Sequence, residues 1–279
     1  MSDATACGTS RMESPVIGTD SAVLKYERSY ELKFLLADSL ADEILKLARL
    51  CLAPDPHADK TLGDGYHVNS LYFDTAGFDV YHRLGSFGRR KFRLRRYGSE
   101  PRVFLERKSK SRGFVRKRRT AVPETALSVL AGESVEQTWP GLWFQRRLVT
   151  RKLAPKTQVS YDRLARVGMT PEGAIRLTVD RRVCCGAAAG LIMPGLADGT
   201  AILTGQSIVE FKFRVAMPAL FKGLIRDFSL APSSVSKYRL SVEACGLNGS
   251  LTPGTPEQAC AEAISTVGPA RAPAPADCG

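Results

Sequence analysis

Residues 89–119, RRKFRLRRYGSEPRVFLERKSKSRGFVRKRR, hold 15 Lys or Arg against two acids, Glu100 and Glu106. Lys91, Arg93 and Arg95 alternate with Phe92, Leu94 and Arg96. Glu106 and Lys108 alternate with Leu105 and Arg107, and Lys117 and Arg119 repeat the step after Gly113. A period of two places each set on one face of a β-strand. Like charges facing one another across a sheet repel, so this face needs a polyanion to neutralise it. The residue types suit phosphate: Arg grips it with a planar fork, and Lys serves as a mobile point charge. Two arginines two positions apart, such as Arg93 and Arg95, lie ~6.6 Å apart along a strand, close enough for both to reach one chain of phosphates.

The same alternation recurs along the chain. Glu31 and Lys33 share a face of a strand over 28–36, and Tyr161 and Arg163 share one over 158–167. Arg176, Thr178 and Asp180 share one over 174–183, and Glu210 and Lys212 share one over 207–214. With Tyr66 to Asp74, the count reaches about eight strands. An ordinary barrel or sandwich turns an apolar face inward. Here the charged face recurs in nearly every strand, so the expected arrangement is inverted: an α+β fold whose antiparallel β-barrel forms a tunnel with a charged lumen, with helices packed outside. Closure also removes exposed edges. Residues 98–101 and 109–113 read as hairpin turns. Helices are expected from Ala37-Asp-Ser, with good capping residues, to about Pro54, around 78–83, and over 218–228. Residues 122–148 read as mostly helical, with Trp139, Leu142, Trp143 and Leu148 covering one end of the sheet. Residues 186–205 read as loop. Residues 233–238 read as loop or last strand, with room for a short helix to Glu243. Arg90, Arg96, Arg107, Arg116 and Arg118 have the opposite parity; they read as solvated, or as an outer patch for a second polyanion.

Lys and Arg total 40 against 28 acids, a net charge of +12. That implies an anionic partner: nucleic acid, an anionic membrane surface or a phosphate-rich substrate. An apolar fraction of 44% supports a sizeable core. The expected partition is one domain over 26–245 between disordered tails at 1–25 and 246–279. No apolar run nears the ~18 residues of a membrane span, and no signal peptide is visible. Seven Cys without a C-x-x-C pair fit a reduced, cytoplasmic setting. The three His lack zinc-ligand spacing. There is no Gly-x-x-x-x-Gly-Lys loop, and no credible Ser/His/Asp or Cys/His arrangement.

An ordered set of motifs carries a resemblance: Glu31-Leu-Lys33, Ser70-Leu-Tyr-Phe-Asp-Thr75, Arg93-Leu-Arg95, Glu106-Arg-Lys108, Lys117-Arg-Arg119, Tyr161-Asp-Arg163, Arg176-Leu-Thr-Val-Asp180, Glu210-Phe-Lys212 and Ser236-Lys-Tyr238. Over about 26–243 the chain resembles a VTC domain, the polyphosphate polymerase domain of the vacuolar transporter chaperone family, in the CYTH-like triphosphate tunnel superfamily. The resemblance implies ATP and inorganic polyphosphate as partners, Mn²⁺ or Mg²⁺ as cofactor, and no specific nucleic acid. It implies Lys33, Arg93, Arg95, Lys108, Lys117, Arg163 and Arg176 as phosphate-binding residues. Glu210 corresponds to the metal ligand, with a salt bridge to Lys212 as the plainer reading. Lys212 and Lys237 correspond to catalytic cations. Glu31, Glu106 and Asp180 are expected to support the basic side chains, with metal contact as their second role. Two positions depart from the pattern. Ser29 stands where the superfamily has a first Glu, and Ser234 stands where the polymerases have a second Lys. Hydrolysis of a triphosphate, or binding without catalysis, are the competing readings.

Overall fold

Alternation of charged with β-branched or aromatic residues favours long strands, because each strand offers a polar and an apolar face. In the computed structural model, described for residues 29–59, 62–111, 114–132, 137–196 and 198–247, these strands form one antiparallel sheet. The strands are β1 (Tyr30–Ala37), β2 (Ala53–Pro54), β3 (Gly65–Asp74), β4 (Arg90–Tyr97), β5 (Arg102–Ser111), β6 (Phe114–Pro123), β7 (Ala154–Thr170), β8 (Gly173–Ala187), β9 (Thr200–Ala201) and β10 (Gln206–Phe213). The spatial order is β1-β10-β8-β7-β3-β4-β5-β6, with β2 paired to β7 and β9 to β8. The hydrogen-bonded ladder does not run all the way round. The two end strands, β1 and β6, meet through one antiparallel bridge, Ser29 to Val115. Side chains complete the seam: Lys108 on β5 donates to both carboxylate oxygens of Glu31 on β1 at 2.7 Å. The expected closed barrel is therefore a strongly curved tunnel whose seam rests on one bridge and an ion pair.

Helices cover the outer face. They are α1 (Asp38–Cys51), α2 (Asp79–His82), α3 (Leu142–Thr150), α4 (Ala219–Asp227) and α5 (Lys237–Ala244). Ile44 and Leu45 of α1 and Phe221 and Leu224 of α4 bury against Phe34, Leu177, Val179, Val209 and Phe211. On the other side Phe144 of α3 packs edge-on against Phe73 and lies 6.5 Å from Phe92. The apolar strand faces thus look outward, as the inverted pattern requires.

Several element expectations are corrected. Residues 122–148 are mostly not α-helical: β6 continues to Pro123, a 3-10 helix occupies Glu124–Ala131, and α3 begins at Leu142. The apolar periodicity there was ambiguous, because pairing with β5 claims the first residues. The turn expected at 109–113 is tighter, since the ladder continues to the Ser111–Phe114 pair. The loop expected over 186–205 contains β9. At α1 no side chain caps the first turn. Asp38 instead accepts a bond from Ser207 Oγ on β10 at 2.5 Å, trading a local cap for a tie to the sheet. At the β7–β8 hairpin Gly173 takes φ +114°, which side chains rarely adopt. The tail expected at 1–25, and the one expected at 246–279 from residue 248 onward, lie outside the described residues.

Candidate functional site

Strand alternation and register bring the charged faces together. Lys33 pairs with Glu210 and Glu31 with Lys212 across β1 and β10; Lys212 pairs with Arg176 across β10 and β8. Arg163 stands opposite Asp180, Arg93 opposite Glu106, and Lys108 opposite Lys117. Three acidic centres organise the cations. Glu210 lies 2.5 Å from Lys212 and 3.6 Å from Lys33, and Glu31 adds Lys108 at 2.7 Å. Glu106, with no exposed side-chain surface, meets Arg93 and Lys117 at 2.7 Å and Arg119 at 3.0 Å. Asp180 accepts a fork from Arg163 Nε and Nη2 at 2.6 and 2.8 Å, and Lys237 Nζ at 2.5 Å.

Lys237 reaches this group because α5 begins inside it. Ser236 caps the helix, accepting from Arg239 N, and its hydroxyl also receives Lys91 Nζ at 2.7 Å. Upstream, Ser233 N donates to Lys33 O at 2.7 Å and ties the approach of α5 to β1. Tyr238 stacks on Tyr72 at 5.2 Å.

Burial and mutual repulsion set the protonation of these groups. Burial would raise the Glu106 carboxyl, but Arg93, Arg95, Lys117 and Arg119 hold it well below its ordinary range. Lys212, Lys33 and Lys108 likewise overcome burial at Glu210. Burial would lower Lys33, yet Glu210 and Glu31 carry it to about 12. Lys91 falls well below its ordinary value through burial and the nearby Lys33 and Lys108. Burial, Arg163 and Lys33 lower Lys237, against the pull of Asp180. Burial beside Lys33 and Lys212 brings Lys108 down to about 8, against Glu31 and Glu210.

The VTC domain family matches residues 28–245. The chain belongs to the VTC domain family. No curated protein matches this VTC domain. Among solved structures it resembles HpAC1 from Hippeastrum, an adenylyl cyclase by name for which a dominant triphosphatase activity is described. The two share 16% identity over 78% of this chain and 96% of that one, with a TM-score of 0.46. An adenylate cyclase, so named, from Bacillus halodurans shares 13% identity over 76% and 96%, at 0.46. PH1819 from Pyrococcus horikoshii shares 15% identity over 77% and 98%, at 0.42.

In this VTC domain the residues singled out from the sequence lie on one continuous inner surface. Arg176 sits at its margin, bound to Asp55 at 2.6 Å and to Tyr66 Oη at 2.7 Å. Asp55 went unremarked in the sequence, because only tertiary pairing brings the segment after α1 to β8. Lys91 and Arg119 were legible as lumen-facing by parity and belong with the site. The Tyr72 hydroxyl accepts from Arg93 Nη1 at 3.3 Å. Arg95 bonds Ser70 Oγ at 3.1 Å. The outward arginines divide. Arg96 is not solvated: it pairs with Glu124 at 2.8 Å and bonds Met193 O. Arg118 lies over the Trp143 ring at 4.5 Å. Among the described residues no helix is long and apolar enough to cross a membrane.

Proposed function

We propose that this VTC domain is a metal-dependent phosphotransferase that moves the γ-phosphate of ATP onto a polyphosphate chain. One observation carries the reading. Eleven cations from seven strands and α5 line one enclosed lumen: Lys33 on β1; Lys91, Arg93 and Arg95 on β4; Lys108 on β5; Lys117 and Arg119 on β6; Arg163, Arg176, Lys212 and Lys237 beyond. Against them stand five carboxylates, Glu31, Asp55, Glu106, Asp180 and Glu210. The excess of basic side chains over carboxylates on this concave face, in part desolvated, suits a linear chain of phosphates.

Phosphoryl transfer asks the protein mainly for alignment and charge compensation. Arg163 is held in a fork by Asp180, Arg93 by one oxygen of Glu106 and Arg95 by the Ser70 hydroxyl, so all three need little rearrangement to receive phosphate oxygens. That preorganisation lowers the cost of ordering them on binding. Lys237 and Lys212 reach the same surface from α5 and β10 and are placed to offset charge on the transferred group. Asp180 holds Lys237 in place and opposes the loss of its proton in the buried setting.

The donor set fits a hard divalent cation. Glu31 and Glu210 face each other, and next to Glu210 the fully buried Thr178 hydroxyl has no partner. Among the described residues no three acidic, His or Cys groups converge, so phosphate oxygens must complete the shell, as is usual for Mg²⁺ or Mn²⁺. Bound there, the ion supplies charge neutralisation and orients the phosphates.

Incubation with ATP and Mn²⁺, followed by gel analysis, is expected to yield long polyphosphate. Phosphate release without chains would make the domain a triphosphate hydrolase instead. Lys237→Ala and Glu210→Ala are expected to lower turnover at least about a hundredfold, the usual worth of a preorganised charge. Arg118→Ala, outside the lumen, should leave turnover intact; equal loss in all three would sink the assignment of faces.

A further inference from the structure

Outside the lumen, a groove of about 670 Å³ runs between the end of α3 and the segment that follows β3. Its walls include Thr75, Gly77, Phe87, Arg147, Arg151 and Lys152. Arg90, the first residue of β4, stands close enough to Arg147 and Arg151 for both to disfavour its charge. Unlike Arg93, Lys108 and Arg163 in the lumen and unlike Arg96, none of Arg90, Arg147, Arg151 and Lys152 forms an ion pair with a described residue. Arg151 only donates to Ser86 Oγ, at 2.6 Å, and covers the Phe87 ring. The one acid lining the groove, Asp79, accepts Thr75 Oγ1 at 2.8 Å. Crowded, unpaired cations raise the energy of the free protein, and an anion in the groove would relieve it.

We propose that this groove binds a stretch of linear polyphosphate continuing from the lumen over the rim at the start of β4. Continuity selects that occupant. Lys91 touches Ser236 on the lumen side, while Arg90, its neighbour in the chain, has the opposite parity and lies near Arg147 and Arg151, which line the groove. A string of phosphates crossing the rim passes from one cation to the next without a gap in positive charge. A nucleic acid would need aromatic faces for its bases, but Phe87 already carries Arg151, and Phe78 carries Lys156 at 4.9 Å. The inference rests on the polyphosphate reading of the lumen.

The test compares two probes on the full chain: tripolyphosphate, short enough to stay in the lumen, and polyphosphate long enough to cross the rim. In Arg147→Glu/Arg151→Glu, long-chain affinity is expected to fall about tenfold or more, ~1.4 kcal/mol. Its salt slope should shallow by about 1–2, while tripolyphosphate affinity holds. Arg147→Gln/Arg151→Gln should show the same trend more weakly, with an unchanged melting temperature as the check on folding. Unchanged long-chain affinity in both variants overturns the proposal, and so does equal loss for both probes. Lost binding to anionic vesicles or duplex DNA with polyphosphate affinity intact also overturns it, assigning the groove to another partner. If the unmodified protein binds neither phosphate probe, the lumen reading fails first.

Discussion

Glu106 is fully buried yet meets three cations directly, so it is the residue on which β4, β5 and β6 agree. Glu106→Gln leaves Arg93, Lys117 and Arg119 facing one another. Removing one partner of a buried ionic cluster costs ~3–5 kcal/mol, and urea unfolding is expected to show a loss of that size. The pH dependence has a definite sign. A carboxyl whose folded value lies below its ordinary 4.5 contributes stability that is complete above 4.5. That stability is lost as pH falls through the folded value. Glu106→Gln should therefore unfold with a flatter acid limb than the parent protein. Lys108 gives a second, opposite dependence. Burial brings its ammonium down to about 8, and Lys117 falls to about 8 as well. If tripolyphosphate is held by the protonated amines, its affinity should decline as pH rises through that value. Lys108→Arg/Lys117→Arg, which keeps both charges, should flatten the decline. Calorimetric titrations on either side of pH 8 check it, and a parallel decline in the double variant would remove these amines from phosphate binding.

At the scale of elements, the short α5 is positioned by a side chain on another element. Asp74 ends β3 with no exposed surface. It accepts Thr75 N, Val80 N and Tyr81 N at 2.7, 2.8 and 2.9 Å, and Tyr238 Oη at 2.5 Å. It thereby anchors α2 and holds the first turn of α5, which delivers Lys237. Asp74→Ala strands three backbone N–H donors and the Tyr238 hydroxyl, each costing ~1–3 kcal/mol, so a loss of ~4 kcal/mol or more is expected in urea unfolding. Tyr238→Phe keeps the backbone donors satisfied; it should cost far less stability while still lowering turnover, because Lys237 loses its neighbour's anchor. Equal stability losses would show that the tie serves folding alone. The strands of the lumen were legible in the sequence because a polar face alternating with an apolar one is rare inside a barrel and repeats from Glu31 to Lys212. The β6-to-α3 segment was not. Val122, Leu127 and Leu130 suit helix and strand periods alike, and only pairing with β5 decides. Nor could spacing reveal α5 as the carrier of Lys237, since Asp74 and Ser236 meet their partners only in three dimensions. The pairing of Asp55 with Arg176 was hidden for the same reason.

The molecule as a whole is an inverted barrel under electrostatic strain, with its weakest line at the seam of β1 and β6. Basic side chains outnumber carboxylates inside, and among the described residues the seam holds by the Ser29–Val115 bridge and the Lys108–Glu31 pair. On the proposed function, a phosphate chain in the lumen would offset the repulsion and draw both edges toward a shared anion. At a hundred times its dissociation constant, any ligand of the folded state alone adds about 2.7 kcal/mol. For a domain of this size that corresponds to about 5–10 °C in melting temperature. Tripolyphosphate is expected to give that rise at low salt and less of it as salt screens the charges. Hydrogen exchange locates the gain. Protection should increase most over 30–37 and 114–123, the strands that flank the seam, because their opening is what repulsion promotes in the free protein. A rise confined to α1 and α4 would place the phosphate on the outer surface, and the lumen would lose its claim to it.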